Sequence, residues 1–245
     1  MKRFAFILTL LSAVVALPLL GQPKYETDTL KSAQGNIIIS FLGHGSVMFE
    51  FGGKIIYVDP VSQYADFSKM PKADLILITH EHGDHLDASA IEACRTVKTK
   101  ILCTAACLPK ATGGTVMKNG ETQTIGGVKI EAVPAYNIVH VRSEGVPFHA
   151  KGTGNGYVLT LGGKRIYTAG DTENVPEMSN LGTIDAAFLP MNLPYTMTPE
   201  MVAEAAKRIH PKILYPYHFG KTDTALLVNL LKDEKGIEIR IRKMQ

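Results

Sequence analysis

The segment Thr79–Leu86 constrains this chain more than any other feature. Its sequence is THEHGDHL, which places His80, His82, Asp84 and His85 within six residues, directly after an apolar run typical of a buried β-strand. Residues i and i+2 of an extended chain share a face, so His80 and His82 can bind one ion while Asp84 and His85, beyond the glycine bend, face a second. We predict a strand that ends in a metal-binding loop; a polar surface turn is the alternative. Nitrogen and oxygen ligands favour Zn²⁺, with Mn²⁺ or iron as other possibilities.

The amino terminus carries a targeting pattern. Lys2 and Arg3 precede an apolar run over residues 4–20 that is short for a membrane-spanning helix. This pattern predicts a signal peptide over residues 1–21, a mature domain over residues 22–245, and a periplasmic or secreted location. A membrane anchor is the alternative. No later segment of the sequence is long and apolar enough to span a bilayer, so we expect no membrane association once the leader is removed.

Composition indicates a globular protein. Hydrophobic residues make up 45% and charged residues 20% of 245 residues, which suits one α/β domain. Loss of residues 1–21 would remove two basic residues and no acidic one, lowering the formal net charge of +3 by two. Because the chain has no Trp and no basic cluster interleaved with aromatics, nothing predicts a nucleic-acid partner. We expect a small-molecule substrate, and no feature specifies an oligomeric state.

The cysteine count is odd. Cys94, Cys103 and Cys107 allow at most one internal disulfide, and none lies in a CxxC pair or near the histidine cluster. We therefore interpret them as buried structural thiols.

Two similar segments predict the architecture. Residues 47–59 and 156–171 each contain a strand, a Gly-Gly turn of the hairpin type, a returning strand and a terminal aspartate, Asp59 or Asp171. The repetition predicts two similar layers that face one another.

Other elements follow from apolar spacing and from end signals. Asp87 and Thr198 are predicted N-caps of two helices. Their buried positions are predicted at Ala90, Ile91, Cys94 and Val97 in the first, and at Val202, Ala205, Ala206 and Ile209 in the second. Strands are predicted at 37–39, 100–104, 128–133, 185–190, 212–217 and 237–241, a third helix at 222–232, and a loop-rich segment at 105–122.

Further polar residues stand at predicted strand ends or turns. His44, in a GHGS turn, either bonds to the backbone or faces the site. Asp59 is predicted to accept a hydrogen bond from a ligating imidazole, since such rings usually donate their second N–H to a carboxylate; a plain turn aspartate is the alternative. Asp171 and His218 complete the set, although each alone is more typical of a turn or a structural histidine.

The order of these candidate residues resembles the pattern of the metallo-β-lactamase-fold hydrolases: Asp59, then the cluster at residues 80–85, then Asp171 and His218. GHGSVMFEF, GGKIIYVDP and AGDT are similar to the UlaG-like and uncharacterised metal-dependent branch of that superfamily. The resemblance covers most of the mature chain. It implies an α/β fold, a four-layer αββα sandwich of two mixed β-sheets flanked by helices.

The resemblance also implies a metal-dependent hydrolase with two ions, in which an activated hydroxide attacks an ester, phosphodiester, lactone or related bond. The ligands implied are His80, His82 and a third histidine for one ion, Asp84, His85 and His218 for the other, and Asp171 as a bridge. Asp84 would also orient the hydroxide, and His44 would contact substrate or the ligands. Tyr195 and Asn192 are candidate substrate contacts, with ordinary loop structure as the alternative.

The third histidine departs from the family pattern. The position that usually holds it is Asn137 here. We favour His149 as the replacement, because it lies in a glycine-punctuated loop; His140 or Asn137 itself are the alternatives.

Two other functions compete with this interpretation. A metallo-β-lactamase of the best-known class uses Cys where Asp171 stands, and all three cysteines precede that position. A metal-binding protein without turnover is the second alternative; Asp84 and Asp171 argue against it and Asn137 argues slightly for it.

Overall fold

The computed structural model describes residues 25–244. The predicted signal peptide, residues 1–21, lies outside the described residues.

The first half of the chain forms a seven-stranded sheet whose strands follow one another in sequence order. The strands are β1 (Glu26–Ser32), β2 (Gly35–Gly43), β3 (Ser46–Phe51), β4 (Lys54–Val58), β5 (Leu75–Leu77), β6 (Lys100–Cys103) and β7 (Thr115–Val116). Strands β1 to β4 pair antiparallel, whereas β4 to β7 pair parallel.

The second half forms a second seven-stranded sheet and a small separate hairpin. The strands are β8 (Thr122–Ile125), β9 (Val128–Ala135), the hairpin pair β10 (Val141–Ser143) and β11 (Val146–Pro147), then β12 (Gly154–Leu161), β13 (Lys164–Thr168), β14 (Ala186–Pro190), β15 (Ile213–Tyr217) and β16 (Glu238–Ile239). The order in the sheet is β16-β15-β14-β13-β12-β9-β8. Strands β8, β9, β12 and β13 pair antiparallel, and β13 to β16 pair parallel.

The predicted repetition is confirmed, because both sheets have the same succession of three antiparallel and three parallel pairings. Each contains a Gly-Gly hairpin, at Gly52–Gly53 between β3 and β4 and at Gly162–Gly163 between β12 and β13. All four glycines have positive φ, which suits the tight turn that a twisted hairpin requires.

Three α-helices cover the sheets: α1 (Ala88–Cys94), α2 (Pro199–Ile209) and α3 (Thr224–Leu230). Asp87 and Thr198 cap α1 and α2 as predicted, since their side chains accept hydrogen bonds from the first-turn N–H groups. Helix α1 packs on the outer face of the first sheet, while α2 and α3 pack against each other beside the second. The predicted four-layer αββα sandwich is confirmed.

Several predicted boundaries are wrong. Val97 is fully exposed, because α1 ends at Cys94 and the chain leaves the helical spacing there. The third helix and the last strand are shorter than predicted. The segment 105–122 is mostly irregular but contains a 3₁₀ turn at Ala105–Cys107 and the short strand β7. Strand β1 and the hairpin β10–β11 escaped prediction because they are largely exposed and carry little apolar alternation.

The three cysteines are buried free thiols, as interpreted from their spacing. Burial raises the pKa of Cys94 and Cys103 to about 12, so both thiols stay protonated at neutral pH. No helix in residues 25–244 has the length and apolarity needed to cross a membrane.

The repeated topology positions the site. Strands β4, β5, β13, β14 and β15 are five of the parallel strands of the two sheets, and the chain leaves each of them at its carboxyl end through a polar loop. Loops at the carboxyl ends of parallel strands are the usual place for a ligand site in α/β folds. All but one of the residues predicted to bind metal lie in these loops; the exception, His149, lies between β11 and β12.

The apolar core between the two sheets provides a test of the fold. Phe188 on β14 is fully buried, with ring centroids 6.1 Å from Phe41, 6.0 Å from Phe49 and 4.8 Å from Tyr215. Truncation in Phe188→Ala leaves a cavity between the sheets and is expected to lower the free energy of unfolding by about 3–5 kcal/mol in urea denaturation. The exposed-site control Val97→Ala should stay within about 0.5 kcal/mol of the parent. Equal stability of the two variants would contradict the described core.

Candidate metal centre

The loop after β5 is anchored to the fold by Asp59, which is fully buried after β4. Its carboxylate accepts hydrogen bonds from Thr79 N at 2.8 Å, from Thr79 Oγ1 at 2.6 Å and from His85 Nδ1 at 2.8 Å. The hydrogen bond from Nδ1 orients the His85 ring so that Nε2 is directed into the site. Asp59 therefore lies where it was predicted, behind an imidazole.

His80 and His82 meet His149, which lies more than sixty positions later in the chain. Thr79 Oγ1 accepts from His80 Nδ1 at 3.0 Å, so His80 Nε2 faces inward. His149 Nε2 stands 3.1 Å from His82 Nδ1. One ligand atom from each of the three imidazoles can be chosen so that all lie within 4.8 Å of one another.

Asn137 and His140 occupy other positions. Asn137 Oδ1 accepts from both the backbone N of His149 at 2.9 Å and its ring Nδ1 at 2.7 Å, so it orients that ring. His140 Nδ1 lies 2.7 Å from Glu173 Oε1, away from His80 and His82. Of the three residues considered for the third-histidine position, the structure thus brings His149 to His80 and His82.

Asp171 lies at the centre of the cluster. Its Oδ1 is 3.2 Å from His85 Nε2, and its Oδ2 is 3.3 Å from His149 Nε2, 3.4 Å from His218 Nε2 and 4.0 Å from His80 Nε2. The carboxylate follows β13 in the second sheet, whereas His80 and His85 follow β5 in the first. Asp171 therefore connects the two sheets across the site.

Asp84 and His44 form the edge that faces solvent. The Asp84 side chain is 43% exposed, and its Oδ2 lies 3.1 Å from His44 Nε2 and 3.5 Å from His218 Nε2. The His44 ring packs on His218 at 3.7 Å between centroids and stacks on Tyr64 at 5.1 Å. His44 thus contacts the candidate ligands, and a backbone-only role is wrong.

The donor atoms suit a pair of metal ions. His80 Nε2, His85 Nε2, His218 Nε2 and Asp171 Oδ1 are buried without a hydrogen-bond partner among the described residues, and such orphaned atoms are costly unless something binds them. Tetrahedral ligands 2.0–2.1 Å from Zn²⁺ stand ~3.3–3.4 Å apart, close to four of the observed spacings, which are 3.1–3.5 Å. Two further spacings, of 3.9 and 4.0 Å, are wider.

Burial and charge set the protonation of these groups. Burial lowers the pKa of His80 well below its ordinary value and that of His149 to about 4, so both rings are neutral at pH 7. Burial opposes protonation of His85 too, but the carboxylates of Asp171 and Asp59 raise its pKa well above the ordinary value. Burial would raise the pKa of Asp171, yet the imidazoles of His218 and His85 hold it well below the usual range. A cation must therefore compete with a proton at His85.

The local backbone is strained around the site. Four non-glycine residues between 25 and 244 have positive φ, and three of them are His44, Asp59 and His218. Such conformations cost about 1–3 kcal/mol each and cluster at functional sites. Gly45 is required for a different reason, since a Cβ there would lie 2.7 Å from His85 Cε1.

An open cleft of about 500 Å³ lies above the cluster. Asn192 and Tyr195 line it together with Asp84 and His44, so both predicted substrate contacts face the cleft. Tyr195 packs edge-on against Phe148 at 5.2 Å.

Sequence reasoning missed Glu173, which is fully buried two residues after Asp171. It accepts hydrogen bonds from the backbone N of Ile138, Val139 and His140 at 2.7 Å each, from Asn137 Nδ2 at 3.1 Å, and lies against the His140 ring. Burial alone would raise its pKa, but these donors hold the pKa below the usual value. The only signal in the sequence was an acidic residue directly after AGDT.

The chain is similar to known metal-dependent hydrolases. The sequence profile of the β-lactamase superfamily domain matches residues 38–218. A UPF0173 metal-dependent hydrolase of Pelotomaculum thermopropionicum is 34% identical over 192 residues, 74% of this chain and 84% of that protein. Another, from Thermococcus kodakarensis, is 37% identical over 195 residues with the same coverage.

Solved structures agree with the fold. The crystal structure of a protein from Parabacteroides distasonis, named as a metal-dependent hydrolase, is 49% identical with a TM-score of 0.86, covering 91% of this chain and all of that one. The metallo hydrolase Igni18 of Ignicoccus hospitalis has a TM-score of 0.69 at 23% identity over 84% of this chain and 95% of that one, a likeness of fold.

The hydrogen bonds that Glu173 accepts from residues 137–140, which we call the Glu173 clamp, can be weakened by one substitution. In Glu173→Gln one oxygen becomes an amide that cannot accept the surrounding N–H groups, so Asn137 and the His149 ring lose their fixed orientation. We expect Zn²⁺ affinity, measured by competition with a chromogenic chelator, to fall about 10- to 100-fold for the ion bound beside His149.

The matched control is Glu144→Gln, an exposed glutamate in the β10–β11 hairpin that should leave Zn²⁺ affinity unchanged. Parent-like affinity in Glu173→Gln would show that the clamp does not orient His149.

Proposed function

Because this chain belongs to the β-lactamase superfamily and has the metallo-β-lactamase fold, we propose that it is a hydrolase that depends on two metal ions, most simply Zn²⁺. The relatives at 34% and 37% identity are themselves named as metal-dependent hydrolases. The observation that carries the proposal is the convergence of unpaired buried donor atoms on the Asp171 carboxylate.

The proposed ligands fall into two groups that share Asp171. His80, His82 and His149 would hold one ion, and Asp84, His85 and His218 the other, with Asp171 between them. When bound, two such ions supply a Lewis acid and lower the pKa of water, which provides a nucleophile at neutral pH.

The remaining residues would handle the proton and contact the substrate. Hydrolysis consumes one water: the acyl–oxygen or phosphorus–oxygen bond breaks, the electrophilic atom takes the water oxygen, and the leaving group takes a proton. Asp84 is the partly exposed carboxylate at the cleft, bonded to His44, and we assign it to hold that proton in transit. Asn192 and Tyr195 would contact the substrate from the opposite loop.

A cleft of about 500 Å³ suits a small-molecule substrate. We also propose that residues 1–21 direct the protein to the periplasm or the exterior, since the basic residues and apolar run of the leader have that pattern.

The ligand assignment predicts the metal count of three proteins. The parent should bind two Zn²⁺ per chain, His149→Ala should lose the ion held with His80 and His82, and His140→Ala should keep both because its ring bonds to Glu173. Elemental analysis after dialysis against limiting Zn²⁺ gives the count. Unchanged occupancy in His149→Ala would exclude His149 as a ligand.

The activity itself is tested on a panel of chromogenic substrates. We expect metal-dependent turnover of a phosphodiester, a lactone, a thioester or a carboxylic ester, abolished by chelation and restored by Zn²⁺. Preferred turnover of a β-lactam would identify a lactamase instead. Absence of metal-dependent turnover across the panel, in protein shown to contain two ions, would favour a binding protein without catalysis.

A further inference from the structure

Arg142 stands at the mouth of the cleft on the β10–β11 hairpin, which belongs to neither large sheet. It lines the main cleft together with Asp84, Asp171 and Tyr195, and it also lines an adjoining lobe of about 310 Å³ beside Phe148. Among the residues that line the two lobes, no other is a lysine or an arginine. One cationic side chain therefore lies where the two lobes meet.

Arg142 is also the arginine without a partner. In residues 25–244 the other five arginines all donate hydrogen bonds to carboxylates or backbone carbonyls: Arg95, Arg165, Arg208, Arg240 and Arg242. The Arg142 side chain makes no ion pair or hydrogen bond within that range; its guanidinium lies 5.7 Å from the centre of the Phe148 ring. Its five N–H donors are therefore available to a ligand.

The surface around Arg142 is apolar. Two exposed large hydrophobic side chains, Val146 and Tyr195, line the lobes, and four more lie within a few residues of lining positions in the sequence: Ile138, Val139, Val141 and Leu193. Each is between 46% and 68% exposed. Scattered exposed hydrophobics are ordinary, but a group of them beside a cleft marks a binding surface.

The charge of the site also favours an anionic ligand. The proposed ligands contribute two carboxylates, Asp84 and Asp171, so two divalent ions would leave the centre with excess positive charge, to which Arg142 adds and from which Glu81, at the second lobe, subtracts. Low-dielectric walls focus such a field and favour an anion. A guanidinium in addition suits an oxyanion, because it can donate two parallel hydrogen bonds to two oxygens.

We propose that Arg142 is the specificity-determining residue of the cleft and that it binds the anionic group of a monoanionic substrate whose other substituent is apolar. The shared chemistry is a pair of oxygens carrying one negative charge, as in a phosphodiester or in an ester or lactone that bears a carboxylate. The inference rests on the proposed hydrolytic function, since it describes the substrate of the same cleft.

The test measures binding rather than turnover, so that it stays informative if the hydrolytic proposal fails. Zinc-loaded parent, Arg142→Ala, Arg142→Lys and Lys98→Ala are titrated by calorimetry with diphenylphosphinate, benzoate and neutral benzamide, none of which contains an ester to cleave. Lys98 is an exposed lysine before β6, at the opposite end of the parallel strands, and its variant controls for loss of one positive charge.

Arg142→Ala should weaken binding of at least one anion about 10- to 100-fold and leave benzamide unchanged. Arg142→Lys should fall between alanine and the parent, and Lys98→Ala should match the parent. A larger loss for diphenylphosphinate indicates phosphodiesters, and a larger loss for benzoate indicates carboxylates. Dimethylphosphinate should bind the parent more weakly than diphenylphosphinate, because it lacks the apolar groups.

Unchanged anion affinity in Arg142→Ala would overturn the proposal, since the metal ions alone would then hold the anion. An equal loss for benzamide and the anions would overturn it as well. A thermal unfolding measurement on each variant serves as the control for folding. The substrate panel reports separately on hydrolysis: anion binding that depends on Arg142, together with no turnover across the panel, would favour a binding protein and leave the anion site in place.

Discussion

The Asp171 carboxylate, buried among the imidazoles of His80, His85, His149 and His218, is the interaction on which the rest of this site depends. It is the point where the loops of two separate sheets meet, with oxygen–nitrogen distances of 3.2–4.0 Å. A buried charge is costly unless it is paired, and buried imidazole nitrogens without a partner also cost free energy, though less. The two sheets must therefore stack in one register for either set of atoms to be satisfied.

The groups behind the ligands hold this arrangement. Asp59 fixes the His85 ring, Asn137 fixes the His149 ring, and Glu173 fixes Asn137 together with three consecutive backbone N–H groups. Each is a buried polar side chain whose hydrogen bonds are satisfied by its neighbours, so the ligand atoms are positioned before any ion arrives. Pre-positioned ligands do not lose side-chain entropy on metal binding.

Much of the fold was predictable because its signals are local. The two Gly-Gly hairpins, the caps at Asp87 and Thr198 and the buried stripe of α2 each depend on residues that are neighbours in the chain. The errors have the opposite origin. Val97 has the spacing of a helical core residue, but α1 ends three residues before it, and the exposed hairpin β10–β11 has no apolar pattern to detect.

The sequence by itself indicated the histidine-rich loop at His80–His85 and the doubled strand pattern, because both are patterns of residues that are close together in the chain. Asp171 and His218 joined the candidate ligands through the resemblance to a known family. Only the tertiary structure decided which residue meets His80 and His82. His149 does so because Asn137 and Glu173 turn its loop inward, through hydrogen bonds between residues far apart in sequence. The role of Arg142 likewise depends on the tertiary structure, because the sequence does not show whether a side chain has a hydrogen-bond partner.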